Sequence, residues 1–317
     1  MKTMCCRLAV GFALVLCAMD SLTQQRQPGG IATLHWYAAN LTTRFNVGLA
    51  PVGVAFDGSS IWVVNFSGPT VSKLRASDGF LLGTFGVGNH PFGIAYDGAN
   101  IWVANESDNT VSKLRGSDGA ALGTFTVGNT PIGVAFDGAN IWVTNENSNN
   151  VTKLRASDGF VLGTFSVGSG PIGVAFDGAN VWVTSAGFST GNTVTKLRAR
   201  DGTVLGTFTV GTNPFWVAFD GANIWVTNLL TNNVTKLRAS DGTVLGTFGV
   251  GTSPAGVVYD GASIWVANEG SNNVTKLRPS DGHILGTFPV GSGPRGIAFD
   301  GAGIWVANTS SGTVSKL

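Results

Sequence analysis

Seven tryptophans recur at nearly constant spacing: Trp62, Trp102, Trp142, Trp182, Trp225, Trp265 and Trp305 follow one another at intervals of 40 residues, broken once by 43. A fixed period of roughly 20–50 residues is the mark of a repeated supersecondary unit, and it constrains the fold more than any local propensity. It also overrules the two-domain expectation that 317 residues would otherwise raise.

Read from Pro131, the unit holds four short apolar runs separated by turn residues, and no segment has a helical period. Strand A is expected over 133–136 and strand B over 141–144, joined by Asp137-Gly138. A polar loop covers 145–150, strand C follows over 151–155, and Ser157-Asp158-Gly159 turns the chain into strand D over about 161–167. Asp-Gly suits such turns because glycine adopts positive φ without steric cost. The strands are apolar on both faces, with large residues alternating against glycine and alanine. Four-stranded blades packed face to face bury both faces, which one-sided sheets do not.

The A-B-C trio occurs seven times and ends with the chain at Leu317, whereas strand D, marked by Phe85, Phe125, Phe165, Phe208, Phe248 and Phe288, occurs six times. The segment Thr43-Arg44-Phe45-Asn46-Val47-Gly48 matches the end of strand D. The expected fold is therefore all-β: a single seven-bladed β-propeller whose N-terminal strand completes the last blade.

Composition agrees. Hydrophobic residues make up 43% and charged residues 12%, with a net charge of +1. Disorder is excluded by the apolar content. Nucleic acid and anionic membranes are poor partners for a chain without clustered Lys and Arg. Lys2 and Arg7 precede an apolar run over 8–19, too short for the ~20 residues that span a bilayer and in keeping with a secretory leader. The expected organisation is a signal-like leader over 1–20, a linker over 21–40 and the propeller over 41–317, secreted or held in the periplasm or cell envelope, and monomeric. All three cysteines (Cys5, Cys6, Cys17) precede the propeller, so no disulfide is expected within it.

The run PxGVAFDGANIWVTN…NNVTKLRASDGTVLGTFTVG, with Trp-Val-Thr-Asn at 142–145 and 225–228 and Trp-Val-Ala-Asn at 102–105, 265–268 and 305–308, resembles the YVTN-type bacterial β-propeller repeat. More distantly it resembles NHL and streptogramin lyase-like propellers, and the token of the streptogramin lyases is usually Trp-Phe-Thr-Glu. Here Val replaces the Phe, and Asn or Ser185 replaces the Glu. The resemblance implies a propeller. Its functions range over surface proteins, binding scaffolds and a few enzymes.

Charges repeated once per blade read as turn formers or surface ion pairs: Lys73/Arg75 and their equivalents on strand C, Asp57 and its equivalents in the A–B turns, Asp78 and its equivalents in the C–D turns. Variation concentrates in the D–A and B–C loops, which share one face of a propeller. Phe92, Phe215, Trp216 and Arg295 are the expected ligand contacts there, and Trp216 replaces a glycine kept by the other six units. The expected function is a non-enzymatic binding or scaffold protein, with a protein, glycan or envelope component on this face and no cofactor. The alternative is a metal-dependent lyase or hydrolase. Its catalytic candidates are His90 and Arg295, with Glu106, Glu146 and Glu269 as oxygen ligands to Ca²⁺ or Mg²⁺ behind a ring of asparagines that includes Asn65, Asn105 and Asn145. Those asparagines are expected instead to bond backbone at strand ends. No Ser-His-Asp, HExxH or phosphate-loop pattern is present.

Overall fold

The computed structural model describes residues 43–317. The leader and linker expected over 1–40 lie outside the described residues. Seven four-stranded antiparallel sheets follow in chain order. Blades 1 to 6 cover residues 51–86, 91–126, 131–166, 171–209, 214–249 and 254–289. Blade 7 takes strands A to C from residues 294–316, and its fourth position is filled by Arg44–Asn46, with Arg44 opposite Ser315 and Asn46 opposite Thr313.

Blade 3 shows why the unit folds as it does. Its strands are Pro131–Phe136, Asn140–Asn145, Asn150–Arg155 and Val161–Ser166, the first three a residue or two longer than expected. Strand A begins at its proline because the pairing Pro131↔Asn145 resumes beyond a bulge at Val134, and a strand's first residue need not donate. In the A–B turn, Asp137 Oδ1 accepts the N–H groups of Ala139 (3.0 Å) and Asn140 (2.7 Å), while Oδ2 accepts the Trp142 indole N–H at 2.8 Å. In the C–D turn, Gly159 has φ +76°, and a Cβ there would strike the Phe125 ring of the preceding blade.

The core lies between blades. Trp142 is fully buried against Val174, Val181, Val183 and Leu197 of blade 4. Innermost strands approach closely: the Gly133 N–H donates to Thr144 Oγ1, which donates to Ile172 O, each at 2.7 Å. The ring closes in the same way, with Trp305 of blade 7 packed on Ile61, Val63 and Leu74 of blade 1.

The repeated charges divide into two kinds. The strand C arginines do form exposed pairs, such as Arg155–Asp158 at 3.1 Å. The lysines of blades 1 to 5 are buried. Lys153, 6% exposed, lies 5.1 Å from the Trp142 ring centre and donates to Ala199 O (2.6 Å) and Arg200 O (3.2 Å) in the next blade's C–D turn. A strand one position in from the edge places its lysine under the neighbouring blade, where two carbonyls and an indole face satisfy the charge.

Candidate functional site: the D–A/B–C mouth of the channel

The four expected ligand contacts converge. Phe92, Phe215, Trp216 and Arg295 line one cavity of about 100 Å³ on the propeller axis. Its wall continues down the inner strands through residues such as Ile94 and Val134. Phe92 meets Phe215 edge-on with centroids 6.4 Å apart, and Phe215 lies 6.1 Å from Trp216. The Arg295 guanidinium lies over Phe215 at 5.9 Å.

Trp216 enters the mouth because its unit has lost a glycine. Across the junction with blade 6, the residue after proline is Ala255, the smallest at that position and fully buried. Thr227 bridges the two strands, accepting from the Trp216 N–H at 2.9 Å and donating to Ala255 O at 2.7 Å. Large and small residues are exchanged across one junction, so a side chain is added without opening the ring.

Phe66, in the B–C loop of blade 1, was absent from the expected site and belongs to it. It meets Phe92 edge-on at 6.0 Å and lies 5.0 Å from the His90 ring. The signal was available, since Phe66 occupies the loop position that carries glutamate in blades 2, 3 and 6. His90 is exposed, adopts φ +47°, and shares a 2.7 Å hydrogen bond between Nδ1 and Ser107 Oγ.

The three glutamates do not gather into one site. Glu269 Oε2 stands 3.0 Å from Arg295 Nε, a charge contact in which the N–H is not aligned on the oxygen. Glu106 and Glu146 stand apart from that pair, on neighbouring blades. Burial pushes the Glu106 carboxyl above its usual range, with His90 offsetting part of the rise. Burial also raises Glu146, and the neighbouring Glu106 charge raises it further. Among the described residues, no three His, Cys, Asp or Glu side chains converge as a metal ligand set.

The asparagine ring is structural. Asn65 and Asn145 accept the N–H groups of Gly48 (3.0 Å) and Gly128 (3.1 Å), and donate to neighbouring strand C residues. In blades 1 to 3 these side chains tie the D–A loop to the B–C loop, whereas Asn228, Asn268 and Asn308 donate to strand C and leave Oδ1 without a partner among the described residues; all six are fully buried.

No protein-family model matches the chain, and no curated protein matches it. Solved structures do. Hydrazine synthase of Kuenenia stuttgartiensis is 20% identical with a TM-score of 0.77, covering 86% of this chain and 97% of that one. A streptogramin B lyase is 19% identical with a TM-score of 0.73, covering 86% and 95%. The virginiamycin B lyase of Staphylococcus aureus is 18% identical with a TM-score of 0.72, covering 86% and 98%. At these identities the likeness establishes the fold alone, a seven-bladed β-propeller.

Proposed function

We propose that the protein is a secreted, YVTN-type binding propeller that engages a partner through the D–A/B–C mouth and performs no chemistry on it. One observation carries this reading: the residues that break the repeat collect around one opening. Phe66, Phe92, Phe215, Trp216 and Arg295 form a continuous aromatic and cationic cluster. Farther out on the same loops, Phe188 and Leu230 are more than half exposed. Aromatic and arginine side chains dominate binding energies, and apolar groups gathered on one face mark interaction sites. A cavity of about 100 Å³ is well below the ~300–1,000 Å³ of sites for drug-sized molecules, so it suits one inserted side chain of a larger partner.

The test is capture of partners by the immobilised protein, run beside a Phe92→Ala/Trp216→Ala/Arg295→Ala variant. Partners lost by the variant support the reading. Equal recovery of every partner by both versions removes this face as the site.

The metal-dependent lyase or hydrolase draws support from the juxtaposed Glu106 and Glu146 beside His90, and from the likeness to streptogramin B lyases. It lacks a third converging ligand, because Glu269 is engaged by Arg295. A divalent ion present at 100 times its dissociation constant would stabilise the fold by about 2.7 kcal/mol. Unchanged melting with Ca²⁺, Mg²⁺ or chelator removes that reading.

A further inference from the structure

We infer that the channel mouth recognises a cationic side chain, a lysine or arginine presented by a protein partner, whose stem enters the aromatic cavity and whose charge meets Glu106 and Glu146. This rests on the binding reading above and specifies the chemistry of its occupant.

The walls come first. Phe92, Phe215 and Trp216 present ring faces and edges around a space that fits one side chain. An arginine already lies on one of those rings, since the Arg295 guanidinium sits 5.9 Å from the Phe215 centre. Aromatic faces attract cations through their quadrupole, more strongly as water is excluded.

Charge then selects among side chains that fit. The D–A and B–C loops together carry four carboxylates, Glu106, Asp108, Glu146 and Glu269, and no lysine or arginine; their one basic side chain is His90, and Arg295 stands at the start of strand A in blade 7. Arg295 is matched by Glu269, and Asp108 accepts two hydrogen bonds from Asn89. Glu106 and Glu146 remain, half-buried, with neither an ion pair nor a hydrogen bond to either carboxylate among the described residues. The strand C lysines and arginines cannot serve them, because they are held at the opposite end of the blades, as Lys73 is by Gly116 O and Ser117 O. Partly desolvated carboxylates with no counter-charge beyond the His90 ring near Glu106 favour a cation and disfavour an anion.

The experiment titrates the full-length protein with pentapeptides of four glycines around a central Arg, Lys, citrulline, norleucine, Phe or Glu, by calorimetry. Arg and Lys peptides are expected to bind at least about tenfold more tightly than the citrulline and norleucine peptides, a difference of ~1.4 kcal/mol. In Glu106→Gln/Glu146→Gln that advantage falls below about twofold, and in Phe92→Ala/Trp216→Ala binding is lost, while both variants still unfold in one cooperative transition. Equal or tighter binding of the neutral or Glu peptides overturns the proposal, as does an Arg advantage that survives the double Gln variant, or no binding by any peptide. A neutral peptide that binds, and is lost only in Phe92→Ala/Trp216→Ala, would leave the mouth as a binding site while removing the cationic occupant.

Discussion

Glu269 and Arg295 are 26 residues apart in sequence and face each other across a blade junction, Oε2 to Nε at 3.0 Å. Phe66 and Phe92 hold the same relation, meeting edge-on at 6.0 Å. The residue after strand B of one blade thus reaches the residue after proline in the next. Applied to Glu106 and Glu146, this geometry points to Ile132 and Ile172, both buried aliphatics. It explains why these two carboxyls are pushed upward by burial while Glu269 has a guanidinium. Ile132→Arg should therefore recreate the Glu269–Arg295 pair at blade 2. Carboxyl titration by NMR should show Glu106 returning toward or below its ordinary range, whereas Ile132→Gln should leave it raised.

The same two glutamates set a pH dependence. A carboxyl whose folded pKa is raised favours the protonated form in the fold, so its ionisation opposes folding above that pKa. The penalty is absent at pH values below the ordinary glutamate pKa, grows as pH rises through the raised value, and is complete at neutrality. Both groups are partly exposed, so solvent screening makes the effect modest. Glu106→Gln/Glu146→Gln should melt above the wild type at pH 7 and level with it near pH 4. An advantage that is the same at both pH values would show that the glutamine packs better and that titration is not involved.

The ring was legible because its signals are local and repeated: Trp142 at a fixed period, Asp137-Gly138 and Asp158-Gly159 at turns. The membership of the mouth was largely legible too, since Phe92, Phe215, Trp216 and Arg295 stand out against a repetitive background. What could not be read was partnership. Lys153 finds its acceptors in the carbonyls of Ala199 and Arg200, and backbone acceptors leave no trace in side-chain identity. Glu269 differs from Glu106 through what the next blade offers 26 residues later, which becomes visible only when blade adjacency is known.

The lysine latch yields its own test. Lys153→Met keeps an apolar stem over Trp142 but removes the donor shared by Ala199 O and Arg200 O. Leaving buried acceptors unmatched costs about 1–3 kcal/mol. Urea unfolding should show that loss, and with the group only 6% exposed the loss should change little between low and high salt. A neutral result would mean that hydration replaces the latch.

The indole pair within a blade is expected to matter comparably. Asp137→Ala removes the acceptor of the buried Trp142 N–H together with the side-chain cap of the A–B turn, at a cost of ~1–3 kcal/mol. Trp142→Ala should cost more, about 3–5 kcal/mol, because it empties the space between blades 3 and 4. In a double-mutant cycle the two losses should fall short of additive, since either change breaks the same bond.

The last prediction concerns the strand at Arg44–Asn46. Its backbone pairs with Thr313–Ser315, Arg44 Nη2 donates to Val290 O of blade 6 at 3.0 Å, and Phe45 lies 5.4 Å from the Trp305 ring. On its other side the Phe45 ring covers Gly79 of blade 1, in the position that Phe125 takes over Gly159. One short strand therefore touches three blades, and its removal would leave the last strand of blade 7 as a bare edge. A chain starting at Leu49 should lose at least ~2 kcal/mol from the aromatic burial alone, or about 4–8 °C in melting temperature for a fold of this size. A chain starting at Thr43 should melt with the full-length protein. If the Leu49 chain does so as well, this strand contributes nothing to holding blade 7 against blade 1.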